Sequence, residues 1–239
     1  MAFDKPVYKR ILLKVSGEAL GGAAGRGLDF DVIRSLGAAV GDCLSAGVQV
    51  GVVVGGGNFW RGVKDGGGKM ERTRADQVGM MATVMNSLAV CDTLEQMGVP
   101  ARVQTMIPML PVAEPYSRGR AVHHLEKGRA VIFGCGTGSP YFSTDTAAAL
   151  KALEIGADAL LMAKNIDGVY TGDPKTDPTA VRIDSMSYDR LLEEHLMVID
   201  ASAAALLQGS GLPTMIFALD PPTNILRVAC GEPIGTIIR

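Results

Sequence analysis

The residues of this chain that could do chemistry gather in glycine-rich stretches. The first is Val48 to Gly62, V-Q-V-G-V-V-V-G-G-G-N-F-W-R-G. Its apolar, β-branched run predicts a strand buried on both faces. Gly55, Gly56 and Gly57 then strip every Cβ from the strand's carboxyl end, so backbone N–H groups there can face an anion. Arg61 adds a permanent cation a few residues on. Bare backbone donors beside a guanidinium suit a nucleotide phosphate.

A second stretch, Gly134 to Thr144 (G-C-G-T-G-S-P-Y-F-S-T), also follows a predicted strand. It offers hydroxyls on Thr137, Ser139, Ser143 and Thr144 and runs into an alanine-rich helix that opens at Asp145. A glycine loop entering a helix N-terminus is a second anion site. Tyr141 or Phe142 can be read as a stacking surface for a base or as core. Cys135 reads as a small loop residue. The third stretch, Lys164 to Pro174, is turn-rich, with an aromatic ring and two aspartates, and suits a purine and ribose. Lys14 ends the strand Tyr8 to Val15 beside Ser16-Gly17; it is either a phosphate lysine or a strand-edge lysine reaching solvent.

The elements that must hold these stretches follow from hydrophobic periodicity. Ile33, Leu36, Val40 and Leu44 line one stripe of a helix capped by Asp29 or Asp31 and closed by Gly47. Strand, loop, helix, strand is the opening of a parallel sheet. Thr73 to Met97 predicts a long helix, apolar around most of its girth, and therefore buried on several sides or packed on another subunit. Asp76 in that helix has two readings: a carboxylate favoured by the helix dipole, or an acceptor for a ligand's hydroxyls. Further strands are expected at Ala101–Ile107, Ala130–Phe133, Ala157–Met162, Pro213–Phe217 and Gly235–Ile238. Short helices are expected at Arg120–Lys127, Tyr188–Leu196 and Ala201–Gln208. Val63 to Arg72 reads as a polar flap, and Lys175 to Pro178 as a loop. His123 and His124 read as surface histidines, since adjacent residues share no helix face. His195 reads as a helix-terminus cation. No linker or repeat divides residues 1–239, so one domain is expected.

Composition narrows the classes. A 47% hydrophobic, 20% charged chain of 239 residues can build a substantial core. A net charge of −2 argues against a general nucleic-acid or membrane-surface binder. The four cysteines show no metal or redox spacing, which fits a reducing compartment. The first ten residues lack an apolar targeting segment, and no apolar run approaches the ~20 residues that span a bilayer. A cytoplasmic location is expected. Gly68-Lys69 lacks the flanking residues of a Walker A loop, and no dinucleotide fingerprint follows a strand. Two phosphate-friendly loops in one domain point to two phosphate-bearing ligands and to phosphoryl transfer between them. A phosphate acceptor needs no general base, because its second pKa of about 6 leaves it ionised at neutral pH.

Four motifs in order, K-V-S-G-E-A-L at Lys14, G-G-G-N-F-W-R-G at Gly55, G-T-G-S-P-Y-F-S-T-D-T-A-A at Gly136 and K-N-I-D-G-V-Y-T-G-D-P at Lys164, resemble the bacterial uridylate (UMP) kinases of the amino acid kinase family. The resemblance covers essentially the whole chain. It implies a three-layer α/β/α sandwich around a mainly parallel sheet, a cytoplasmic homohexamer, and transfer of a phosphoryl group from ATP to UMP with Mg2+ carried on the ATP phosphates. It assigns Lys14, Val15, Ser16, Gly17, Gly57 and Arg61 to the ATP phosphates, with Lys14 and Arg61 as the catalytic cations. Asn165, Tyr170 and Asp173 fall to the ATP nucleoside. Gly56, Asp76 and the loop of Thr137, Gly138, Ser139, Pro140, Tyr141, Phe142, Ser143 and Thr144 fall to UMP. Gly22, Ala23, Ala24, Gly25, Arg26 and Gly27 match a region linked to activation by GTP, with UTP as inhibitor. The long Thr73–Met97 helix matches a subunit interface. Ser139 stands where the family usually has asparagine, and Gly172 where it usually has alanine.

Overall fold

A computed structural model of the chain describes residues 5–61, 65–66, 68–174 and 176–239. Parts of the expected Val63–Arg72 flap and of the Lys175–Pro178 loop lie outside the described residues, as do residues 1–4. Eleven strands are described: β1 Arg10–Val15, β2 Gln49–Val54, β3 Ala101–Thr105, β4 Glu114–Pro115, β5 Ala130–Gly134, β6 Ala159–Lys164, β7 Val169–Tyr170, β8 Arg182–Ile183, β9 Ser185–Met186, β10 Thr214–Ala218 and β11 Thr236–Ile238. Nine of them form one sheet in the order β4-β3-β5-β2-β1-β6-β10-β11-β9; β7 and β8 make a separate hairpin. Every pairing in the large sheet is parallel except β10 with β11.

The helices are α1 Gly17–Leu20, α2 Phe30–Ser45, α3 Arg72–Gln96, α4 Arg118–Glu126, α5 Thr144–Ile155, α6 Tyr188–Glu193, α7 Ala201–Leu207 and α8 Asn224–Ala229. They cover the sheet on both sides, as a parallel sheet requires. One core joins Ile33, Leu36 and Val40 of α2, Val90 and Leu94 of α3, and Ile225 and Leu226 of α8 to Ile11, Leu13 and Val15 of β1. The other joins Leu125 of α4, Ala148 and Ala152 of α5, Leu191 of α6 and Ala203 of α7 to Leu12 of β1 and to Leu160 and Met162 of β6. Each fully buried aliphatic side chain stabilises this arrangement by about 1.5–3 kcal/mol. The expected α/β sandwich with a mainly parallel sheet is the architecture observed.

Local signals explain the helix ends. Asp29 caps α2, its Oδ1 accepting from Asp31 N and Val32 N, and Gly47 follows with φ +86°. Ser143 caps α5 by accepting from Asp145 N and Thr146 N. The strand expected at Ala157–Met162 is shifted toward the carboxyl end and includes Lys164. His195 falls after α6 in a left-handed conformation with φ 52° instead of ending a longer helix. His124 is not on the surface. It is buried, its Nε2 3.0 Å from Glu114 Oε2 and its Nδ1 3.0 Å from Arg129 Nη1. Because the guanidinium can only donate, Nδ1 accepts and Nε2–H donates to Glu114. The i, i+3, i+4 face of α4 carrying Ala121, His124 and Leu125 packs on the sheet and leaves His123 outside, and only the packing decides which face that is.

Candidate active site

Strand parity builds the centre of the site. Side chains alternate across a strand, and on β1 Ile11, Leu13 and Val15 face one core while Leu12 faces the other. Lys14 therefore shares the face of Leu12, at the carboxyl end of the strand. On the neighbouring β6, Leu160 and Met162 face that same side, so Lys164 does too. The register Lys14↔Met162 places the two lysines on adjacent strands, two residues apart along the sheet and so on the same face. Helix α5 packs on this face and brings Asp145 in its first turn between them. Lys14 Nζ lies 2.6 Å from Asp145 Oδ1, and Lys164 Nζ 3.2 Å from Asp145 Oδ2.

This group is nearly dry: Lys14 is 7% exposed and Asp145 8%. Burial opposes the charged form of Asp145, yet Lys14 and Lys164 together hold its carboxyl below the ordinary aspartate range. Burial likewise pushes the Lys164 ammonium below the usual lysine range, with Asp145 opposing that shift. With all three ionised the group carries one net positive charge. It stands at the N-terminus of a helix, whose dipole adds to the attraction for an anion.

Around it stand the loops singled out in the sequence. Ser16 caps α1 by accepting from Ala19 N at 3.2 Å. A Cβ on Gly17 would lie 2.6 Å from Gly55 O and 2.7 Å from Gly57 N, so the β1 and β2 turns touch backbone to backbone and only glycine fits. Gly56 is pressed against α3, where a Cβ would meet Gly79 O at 2.8 Å. The Arg61 guanidinium forms an ion pair with Glu18 over Gly57, and its backbone N–H donates to Asp65 Oδ2 at 2.7 Å. Lys14, Ser16, Gly17, Gly55, Gly56, Gly57 and Arg61 are thus brought to one end of the sheet.

The Thr137–Thr144 loop joins this end from β5. Tyr141 and Phe142 are both exposed, so neither is core. Tyr141 N donates to Asp76 Oδ2 at 2.9 Å, and the Arg72 guanidinium lies 4.9 Å from the Tyr141 ring centroid. Arg72 Nε also donates to Asp76 at 2.8 Å. Asp76 therefore ties α3 to this loop, a contact neither sequence reading contained. Ser143 spends its hydroxyl on the α5 cap. Thr137 Oγ1 accepts from Ser139 N at 3.2 Å and shapes the loop's turn. Cys135 is buried, its thiol pushed up by burial, and its backbone N–H donates to Thr83 Oγ1; it is a structural residue. Asn165 and Asp173 lie exposed beyond β6 and in the hairpin region, where Tyr170 donates from its hydroxyl to Asp167 Oδ1 at 2.9 Å.

A model of the amino acid kinase family matches residues 9–218. The chain belongs to the amino acid kinase family. Among solved structures it is similar to UMP kinase from Bacillus anthracis, at 37% identity and TM-score 0.93 over 97% of this chain and 96% of that one. It is also similar to UMP kinase from Ureaplasma parvum, at 34% identity and TM-score 0.89 over 100% and 99% of the two chains. Uridylate kinase from Archaeoglobus fulgidus follows at 30% identity and TM-score 0.73 over 96% and 99%.

The sequence reading gave no chemical role to Asp145, Lys164, Asn58 or Asn86. Two signals pointed to the first pair. Asp145 is the first-turn acid of a capped helix at a glycine loop. Lys164 ends an apolar strand run that otherwise admits no charge. Among the described residues no group of three His, Cys, Asp or Glu side chains is placed to hold a metal ion. No described helix is long and apolar enough to cross a membrane.

Proposed function

We propose that this chain phosphorylates UMP, passing the terminal phosphoryl group of ATP to it and releasing UDP and ADP. The observation that carries the reading is the Lys14–Asp145–Lys164 group set between two glycine loops, in a chain similar along nearly its whole length to three solved UMP kinases.

The chain's own residues divide the work. The Ser16–Gly17 turn and Gly57 present backbone N–H groups to the ATP phosphates, with Val15 leading the strand into that turn. Arg61 exchanges Glu18 for phosphate oxygens and stabilises charge there. Lys14 follows the moving phosphoryl group, held in place by Asp145. Asp145 takes no proton: two ammonium groups keep it ionised. The UMP phosphate needs no base, and positioning does the rest. Gly56, Asp76 and the Thr137–Thr144 loop hold UMP, with Tyr141 and Phe142 offering rings for the uracil. Asn165, Tyr170 and Asp173 take the ATP nucleoside. The acidic groups fit a Mg2+ ion that arrives on the ATP phosphates better than one caged by protein, since Asp145 is already committed to two lysines. When bound, Mg2+ would neutralise charge on the donor phosphates.

The proposal extends to a single kinase domain working in the cytoplasm as a homohexamer, with GTP activating through Gly22–Gly27 and UTP inhibiting. Val78 and Met85 on α3, and Met97 at its C-terminal cap, are exposed in the single chain and supply apolar surface for subunit contact. The deciding experiment is an ADP-release assay with ATP, Mg2+ and either UMP, CMP, AMP, glutamate or aspartate. Turnover with UMP is expected. Turnover with an amino acid instead, or with no acceptor, overturns the reading.

A further inference from the structure

Asn86 sits in the interior of α3 and is 0% exposed, so no substrate can touch it. Asparagine is a poor helix former and costly to bury, so its polar atoms must be engaged. They are. Asn86 Nδ2 donates to Gly55 O at 2.6 Å and to Asn58 Oδ1 at 2.7 Å. Asn58, 4% exposed, returns the bond from its Nδ2 to Asn86 Oδ1 at 2.9 Å and also donates to Gly27 O at 2.6 Å. Both hydrogens of each side-chain amide have an acceptor. Asn58 O in turn accepts from Gly27 N at 3.1 Å, so Asn58 grips Gly27 by two bonds.

The pair forms a wall of the phosphate cradle. A Cβ on Gly17 would lie 2.6 Å from Asn58 Oδ1, as close as it would come to Gly55 O. A shift of the Asn58 amide therefore moves the space above Gly17 and between Gly55 and Gly57. We infer that Asn86 is a positioning residue of the phosphate cradle, acting through Asn58 to lock the Gly55–Gly57 turn, the Gly27 loop and α3 into one rigid unit. The inference rests on the kinase reading for its turnover measurement but not for its binding measurement.

The test compares Asn86→Asp with Ser87→Ala. Asn86→Asp keeps the shape and the acceptor toward Asn58 but removes both donors, setting oxygen against Gly55 O and Asn58 Oδ1. Ser87 is the next residue, equally buried, and its hydroxyl donates only to Thr83 O. ATP affinity is read from the fluorescence of Trp60, the chain's one tryptophan, whose backbone N–H donates to Gly56 O at 3.0 Å and whose indole N–H donates to Ala75 O at 2.8 Å. Because a misplacement of about 1 Å can cost about 100-fold, Asn86→Asp should lose about 10- to 100-fold in kcat/KM for ATP at a temperature where it is fully folded. ATP binding should weaken alongside, while Ser87→Ala keeps both values. Asn58→Ser, which loses the side-chain bonds to Gly27 O and Asn86 without adding charge, should lose ATP affinity in the same way and decides the matter if Asn86→Asp does not fold. Wild-type ATP affinity and turnover in either folded variant would overturn the inference. So would an equal loss in Ser87→Ala, which would mark a general effect of helix stability. A wild-type protein that ignores UMP sinks the kinase reading alone, and the ATP titration still decides the clamp.

Discussion

Asp145→Asn removes the one negative charge between Lys14 and Lys164 and leaves the side chain's size unchanged. Both lysines are largely buried, with side chains 9% and 21% exposed, so neither can turn its charge fully to water. Breaking a buried ion pair by deleting one partner typically costs about 3–5 kcal/mol. The asparagine keeps one acceptor oxygen for a lysine, so about 3 kcal/mol is expected here. For a chain of this size each kcal/mol moves the thermal midpoint by about 2–4 °C, giving a drop of about 6–12 °C. Lys14 also loses the partner that aims it, and turnover should fall by about 100-fold at a temperature where the variant is folded. The assays are thermal unfolding by circular dichroism at neutral pH and UMP-dependent ADP release. The reasoning makes a second demand. Adding Lys14→Met to Asp145→Asn removes one of the two stranded cations and should recover part of the lost midpoint while turnover stays lost. A single variant that melts within about 2 °C of the parent would refute the electrostatic account. So would a double variant that melts lower than the single one.

Gly17→Ala would drive a methyl into Gly55 O and Gly57 N, and since both contacts are backbone the cradle must open; ATP-dependent turnover should fall by about 100-fold with little change in UMP binding, as isothermal titration would show. Asp76→Ala should weaken UMP binding by about tenfold, because it frees Tyr141 N and lets the Thr137–Thr144 loop drift; selective loss of ATP affinity would contradict that placement. Acid stability carries a definite sign. Asp145 and Glu114 both titrate below their ordinary values, despite burial that works against their charge, so the unfolded chain binds protons more readily than the folded one. Their contribution is complete above the ordinary carboxylate range near pH ~4 and drains away as the pH falls through their depressed values. The thermal midpoint should therefore hold steady down to about pH 5 and fall below about pH 4, with a shallower fall in Asp145→Asn.

The sequence by itself determined the parallel sheet, the two glycine loops and the family. These are local or periodic properties. A run such as Val50–Val54 ending in three glycines is a buried strand followed by a bare backbone turn wherever it sits. Ser143 and Asp29 as caps, and Gly47 as a stop, need only their own neighbours. The tertiary structure decided which distant residues share a face and a register. Lys14, Asp145 and Lys164 are more than a hundred positions apart at the extremes, and their meeting depends on β1 pairing with β6 and on α5 packing on one side of that pair. A one-residue change in the facing of either strand would send its lysine to the opposite core. Likewise, Asn86 looks like an ordinary polar interruption of an apolar helix until the chain folds and Gly55, Asn58 and Gly27 arrive beside it. His124 reads as a surface residue until α4 rotates it onto Glu114 and Arg129. Hydrophobic pattern fixes that a face is buried; only the packing of the whole chain fixes which polar groups are buried with it and what they must bond.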